Sequence, residues 1–376
     1  MRIGIDCRAL YLPQIKGIGI YLQNLLPALA KLDASFEYVL FYDSRQEVVR
    51  RKPTLTNFSE KGLSIRKGDT LFFWEQLRLP CALKHERLDL FHSPANTTFS
   101  KGKIPLVVTV HDTIVQQIHH ASRVKNFYFK KLQPFFLRRA DRIIVPSFHS
   151  KNNLIQLLRI QSEKISVIPQ GVNPNFRVLR DRRGSAAVKQ KFGIKGQYIL
   201  FAGGESPWKN VSRLIKTFHL LRQGKRIAEQ LVITGIRSIP IFEKHQAEIQ
   251  SYGLKLEEDV LVLGYINEED LIGLYNAAEI FVYPSLNEGF GFPPLEAMAC
   301  QTAVAASNAA SIPEVVGDAA LLFDGTDVND MAEKIYTLLT NASLRQELKK
   351  KGLRRAQNFP WEKTAKETRR VYEEIA

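Results

Sequence analysis

The segment Glu279–Gly317, EIFVYPSLNEGFGFPPLEAMACQTAVAASNAASIPEVVG, constrains the fold of this chain more than any other. Ile280, Phe281, Val282 and Tyr283 form an uninterrupted β-favouring run, the pattern of a short strand covered on both faces. Pro284 ends it. Ser285 to Phe292 then hold two glycines. Pro293-Pro294 suits the first turn of a helix with Leu295 to Cys300 as its body, because backbone donors there lack intrahelical partners in any case. Strand, glycine-bearing loop and helix in that order belong to a parallel α/β architecture. The loop presents N–H groups at the positive end of a helix dipole, which suits an anion such as phosphate. Gly289 and Gly291 permit close approach, and the amides from Gly289 through Phe290 and Gly291 to Phe292 are candidate donor-binding groups. Glu288 at the loop tip and Glu296 on the first helical turn bracket it, suited to a sugar hydroxyl and a ribose diol. Taken singly, each is as well explained by a solvated side chain or a favourable charge at a helix start.

The same pattern recurs at the N-terminus. Arg2–Asp6 reads as a strand, and Gly17-Ile-Gly-Ile-Tyr21 leads into Leu22, Leu25, Leu26 and Leu29 at helical spacing, so Gly17 and Gly19 mark a second glycine turn into a helix, which tight turns also use for purely steric reasons. Strands are expected at Phe36–Tyr42, Leu88–His92, Val107–Val110, Ile143–Ser147 and Ile165–Ile168. In the second half they are expected at Tyr198–Gly204, Leu231–Gly235, Val260–Gly264, Ala303–Ala306 and Ala319–Phe323, with helices between. Residues 44–68, polar and basic with uneven periodicity, are expected as a variable connection. At 376 residues the chain is too long for one core. Strand alternating with helix then gives an α/β protein of two Rossmann-like, doubly wound domains at 1–172 and 198–358, with a linker at 173–197 and a last helix at 359–376.

Two positions stand out as chemistry-bearing. His111-Asp112 follow the run Val107–Val110 at its C-terminal end, where open α/β sheets hold ligands, and His111 suits a sugar hydroxyl or a developing charge. A structural hydrogen bond explains such a pair equally well. Lys209, in Gly203-Gly-Glu-Ser-Pro-Trp-Lys209-Asn210, precedes a helix with Val211, Leu214, Ile215 and Phe218 on one face, and with Asn210 it suits a diphosphate.

The balance of 53 Lys plus Arg against 38 Asp plus Glu, a net charge of +15, favours anionic partners. The run Arg123–Arg142 concentrates it: Arg123, Lys125, Lys130, Lys131, Arg138, Arg139 and Arg142 alternate with Phe127, Tyr128, Phe129, Phe135 and Phe136 against one acid, Asp141. Such interleaving suits an anionic bilayer surface, a solvated face over packed aromatics, or, less well, nucleic acid. Cys7, Cys81 and Cys300, odd in number and set among apolar neighbours without metal-ligand spacing, are expected as reduced core thiols. No apolar run approaches a membrane span and no signal peptide precedes the first strand, so the expected location is the cytoplasm, or the inner face of the cell membrane as a peripheral protein.

The run Glu288-Gly-Phe-Gly-Phe-Pro-Pro-Leu-Glu296 resembles the E-x7-E motif of family 4 glycosyltransferases, and Ser311-Ile-Pro-Glu-Val315 resembles the segment that follows it there. The resemblance implies a GT-B fold with a deep interdomain cleft and a C-terminal helix crossing back to the N-terminal domain. It also implies a nucleotide-sugar donor on the C-terminal domain, transfer with retained anomeric configuration, Gly17 and Gly19 as a phosphate or acceptor loop, and His111, Glu288 and Lys209 as catalytic residues. The chain departs from the family at the phosphate loop, where Gly203, Gly204 and Trp208 stand in place of an expected arginine, leaving Arg213 as a substitute. No Asp-x-Asp occurs, so no metal or other cofactor is expected. The expected reaction moves a hexose of the mannose, rhamnose or glucose type to a lipid-linked or polysaccharide acceptor. The alternatives are a nucleotide-sugar epimerase or phosphorylase, and a non-catalytic nucleotide-sugar or nucleic-acid binding protein. If the basic-aromatic run meets lipid, replacing Lys130, Lys131, Arg138 and Arg139 with neutral residues is expected to lower co-sedimentation with anionic vesicles several-fold, and unchanged sedimentation refutes the patch.

Overall fold

The computed structural model describes residues 1–12, 17–32, 35–44, 57–63, 73–99, 102–117, 122–180 and 182–376. It divides into two compact units, Met1–Gly171 with Pro360–Ala376, and Val172–Phe359. The first holds a seven-stranded sheet: β1 (Arg2–Asp6), β2 (Glu37–Asp43), β3 (Phe58–Leu63), β4 (Leu90–Ser93), β5 (Leu106–Thr109), β6 (Arg142–Val145) and β7 (Ile165–Val167), in the order β3-β2-β1-β4-β5-β6-β7. The second holds six: β8 (Tyr198–Ala202), β9 (Gln230–Thr234), β10 (Val260–Val262), β11 (Ile280–Tyr283), β12 (Ala303–Ser307) and β13 (Ala320–Phe323), in the order β10-β9-β8-β11-β12-β13. The ladders are parallel in both sheets. Strand order therefore reverses direction beside the first strand of each unit, which is the doubly wound arrangement expected from the alternation of strand and helix.

The strands β8 and β11 are buried along their whole length, as sheets covered by helices on both faces require. In the first unit the C-terminal helix, Trp361–Glu373, packs on the helix Gly17–Leu32. Its Tyr372 hydroxyl lies 2.7 Å from His92 Nδ1, and His92 Nε2 lies 2.7 Å from Thr109 Oγ1. Burial drives the His92 pKa down to about 3 and that of His111 down to about 4.

Several expectations are corrected. Residues 58–63, expected within a variable connection, form β3; the remainder of 44–68 beyond Ser44 and residues 57–63 lies outside the described residues. Gly17 and Gly19 sit inside the first turn of the helix Gly17–Leu32, so they start a helix instead of forming a loop. As expected, Pro293 and Pro294 lie in the first turn of the helix after the glycine loop, which begins at Phe292. Cys81 is exposed, whereas Cys7 and Cys300 are core thiols.

The basic run is only in part a free face. Phe136 is buried, Arg142 is in β6 with its Nε 3.5 Å from Glu374, Arg138 Nε donates to Leu158 O at 2.8 Å, and Tyr128 donates to Glu75 at 2.7 Å. Val124, Phe127 and Phe135 remain 78%, 58% and 45% exposed.

The two histidines carry a pH dependence. Both pKa values are depressed on folding, so the stability they contribute is complete above the unfolded value near 6.5 and is lost as pH falls towards 3. Urea unfolding is expected to show a loss on the order of a few kcal/mol over that window. His92→Gln, less stable at neutral pH, is expected to give a shallower slope.

Candidate functional site

The second unit brings its chemistry-bearing residues together where its sheet changes winding direction, between the neighbouring strands β8 and β11. Ligands of open parallel sheets bind outside the carboxyl ends of strands at such a point. After β8 the chain passes Gly203 and Gly204 and makes one helical turn, Pro207–Lys209, before the helix Val211–Leu220. After β11 it passes Pro284 and enters the loop that carries Glu288. The two loops are stitched together: Trp208 O accepts from Leu286 N at 2.8 Å and from Ser285 Oγ at 3.1 Å.

At the centre Lys209 Nζ lies 2.7 Å from Glu288 Oε1. That one oxygen also accepts from Ser285 Oγ at 2.5 Å and Tyr283 OH at 2.9 Å, and Lys209 Nζ reaches the Tyr283 hydroxyl at 2.7 Å. Both charged side chains are 14% exposed, so the pair is largely desolvated and removal of either partner would strand a charge. The loop beyond Glu288 is shaped by two devices. Ser311 Oγ, wholly buried, lies 2.9 and 2.7 Å from the carbonyl oxygens of Glu288 and Phe290 and donates to them. Gly291, at φ +121°, turns the chain into the helix Phe292–Ala299, whose first turn receives no side-chain cap. Uncapped amides at that end suit an anion. One turn on, Glu296 is partly buried, accepts from Tyr275 OH at 3.1 Å, and is pushed up to about 7, mainly by burial.

The remaining residues singled out in the sequence fall into two groups. Gly289, Phe290, Gly291 and Phe292 lie in this loop, with Phe290 buried against Phe292 and Phe359. Gly203 has no room for a side chain, since a Cβ would stand 2.9 Å from Phe201 Cζ and 3.3 Å from Tyr283 Cε2, and Gly204 follows it at φ +80°. Asn210 and Arg213 are bonded to each other. Asn210 is buried, its amide donates to Pro284 O at 3.1 Å and Gly325 O at 2.7 Å, and Arg213 Nη1 donates to Asn210 Oδ1 at 2.9 Å. Asn210 thus braces the loop, while Arg213 is tied to it by one guanidinium nitrogen and remains exposed.

His111 lies in the first unit, just past β5. Its Nδ1 is 2.8 Å from Gln170 Nε2, which can only donate, so the ring proton sits on Nε2 and is given to Pro94 O at 2.9 Å. Both nitrogens are engaged, and burial favours the neutral ring. Sequence reasoning missed Gln170, Ser285, Tyr275, Tyr283 and Ser311, whose partners lie on other elements. It also missed the cluster at the winding reversal of the first sheet, where Arg8 Nη2 bridges Asp6 at 2.6 Å and the buried Glu75 at 3.0 Å.

Comparison with known proteins supplies a family context for this geometry. The model of "Glycosyltransferase Family 4" matches residues 15–176 and that of "Glycosyl transferases group 1" matches residues 185–355. The O-antigen chain mannosyltransferase B of Escherichia coli is 30% identical over 374 residues, covering 95% of this chain and 96% of that protein. The serotype-specific mannosyltransferase WbdA of the same organism is 33% identical over 242 residues, 64% of this chain. The match spans 29% of the length of WbdA. Among solved structures, Anabaena Alr3699/HepE in complex with UDP-glucose superposes with a TM-score of 0.78 at 17% identity, over 100% of both chains. The loop braces generate their own test. Ser311→Ala leaves the Glu288 and Phe290 carbonyls without a donor and is expected to lower stability by about 1–3 kcal/mol in urea unfolding.

Proposed function

The chain belongs to the family 4 glycosyltransferases, with a GT-B fold, and from that membership we propose that it moves a hexose from a nucleotide sugar to a glycan acceptor in the building of a cell-surface polysaccharide. The observation that carries the proposal is the Lys209–Glu288 pair beside an uncapped helix start at the winding reversal of the second sheet. Lys209 and the amides from Gly289 to Phe292 suit the diphosphate, Glu296 the ribose diol and Glu288 a hydroxyl of the sugar. Mannose is the first sugar to test, because the two relatives above are named as mannosyltransferases.

The chemistry follows from the charges present. As the bond between the anomeric carbon and the diphosphate breaks, negative charge grows on the leaving oxygen. An ammonium group and fixed amide dipoles in a partly dry site stabilise it without reorganising. The absence of an Asp-x-Asp from the sequence favours this metal-independent reading. We assign the acceptor oxygen to the same face of the sugar, with its proton passing to a departing phosphate oxygen, so that configuration is retained. His111, with both ring nitrogens engaged, is not the base in this scheme.

A lipid-linked acceptor would bring the enzyme to a membrane surface. No helix of the described residues is long and apolar enough to cross a membrane. The exposed Val124, Phe127 and Phe135, with Arg123, Lys130 and Lys131, form the face we assign to an anionic bilayer, on its cytoplasmic side.

Incubation with a panel of nucleotide sugars and membrane extract is expected to yield sugar transfer and nucleoside diphosphate release from one donor. Glu288→Ala is expected to lower turnover roughly 100-fold or more while nucleoside diphosphate still binds. Absence of release from every donor overturns the assignment.

A further inference from the structure

We propose that Tyr283 and Tyr275 are positioning residues of the donor site: each gives its phenolic proton to one of the two glutamates, and Tyr283 also accepts from Lys209, so the charged groups are aimed before substrate arrives. The inference rests on the reading of Lys209, Glu288 and Glu296 as the donor-binding set.

Both tyrosines are fully buried. As packing they need no hydroxyl. Tyr283 stacks on Phe281 with centroids 6.0 Å apart, and Tyr275 meets Phe281 at 5.3 Å and Phe176 at 5.9 Å edge to face. Phenylalanine would fill either place, and a buried hydroxyl is costly unless it is paired. In each case the partner is a carboxylate oxygen, of Glu288 in the loop and of Glu296 on the helix Phe292–Ala299. Tyr283 OH donates to Glu288 Oε1 at 2.9 Å, and Tyr275 OH donates to Glu296 Oε2 at 3.1 Å. Burial raises both phenols well above their ordinary range, so they stay protonated donors.

The two come from outside the Glu288–Glu296 segment, Tyr283 as the last residue of β11 and Tyr275 from the helix Glu268–Ala277. The sheet and its covering helix therefore hold the carboxylates independently of the loop itself. Gly203 belongs to the same device, since a side chain there would press on the Tyr283 ring. Held at 2.7 Å from both Tyr283 and Glu288, Lys209 keeps one orientation at no cost during the reaction.

Glu296 is faced by Tyr275, Glu268 and Lys209, while Tyr283 and Cys300 feel its charge in turn. Of these, the Tyr275 hydrogen bond and the charge of Lys209 favour the carboxylate, and burial and Glu268 oppose it. Losing the Tyr275 hydroxyl should therefore raise the pH at which Glu296 takes a proton, from a starting point of about 7.

Tyr283→Phe and Tyr275→Phe both keep the ring, so both are expected to fold with melting temperatures close to wild type. Tyr283→Phe is expected to lower kcat about 10- to 100-fold, with the donor KM changed less than about threefold. Tyr275→Phe is expected to keep kcat at high pH and to move the pH midpoint of kcat/KM upward. Two readouts need no substrate. In protein labelled with 13C at glutamate carboxyls, the Glu296 midpoint, assigned with Glu296→Gln, moves up in Tyr275→Phe. The Lys209 ammonium resonance, protected from exchange in the wild type, is lost in Tyr283→Phe. Wild-type kcat in Tyr283→Phe, an unmoved Glu296 midpoint or a still-protected Lys209 overturns the positioning role. A wild type that turns over no nucleotide sugar overturns the proposed function instead, and the two substrate-free measurements still decide the tyrosines.

Discussion

An ammonium group and a carboxylate meet at 2.7 Å between the ends of two neighbouring strands, and much of the second unit is arranged so that this pair can exist with little water around it. Burying two charges is costly, and their attraction offsets the cost only where further hydrogen bonds complete the geometry. Here Ser285 and Tyr283 add two donors to the same carboxylate oxygen. Trp208 O receives Leu286 N and Ser285 Oγ, so the loop that carries the lysine and the loop that carries the glutamate move as one body. A pair held in this way is a fixed electrostatic feature of the fold, present before any ligand arrives.

The first unit solves a related problem with different chemistry. At the end of β1, Arg8 joins Asp6 to Glu75, a carboxyl that burial pushes upward and that also receives Tyr128. The histidines nearby are held neutral by burial, with both ring nitrogens engaged, His92 by Tyr372 and Thr109 and His111 by Gln170 and Pro94. A neutral ring with both nitrogens engaged is held in one orientation. Gln170 therefore determines what His111 can offer more than the histidine itself does.

Local signals in the sequence were reliable where burial is two-sided and the segment is short. β8 and β11 were legible because a strand covered on both faces is continuously apolar, and glycines and prolines marked where each ended. β3 was not legible. It lies at the edge of its sheet, and Ser59, Glu60, Lys61 and Gly62 are all exposed, so it carries no hydrophobic period and exists through its pairing with β2. The basic-aromatic run was legible only in composition, because a helix distributes side chains around its axis, sending Phe136 inward and Phe135 outward.

By itself the sequence determined the repeated strand-loop-helix unit, the doubling of that unit into two sheets, and the identity of the charged residues around the phosphate-suited loop. These follow from periodicity and from glycine and proline, which act within a few residues. Only the tertiary structure decided which side chains meet. Lys209 and Glu288 are 79 positions apart, and His92 and Tyr372 are 280 apart. Tyr275 and Tyr283 read in one dimension as core aromatics. A hydroxyl's partner is fixed by the packing of separate elements, and the chain pattern records that a ring is buried without recording what its oxygen faces.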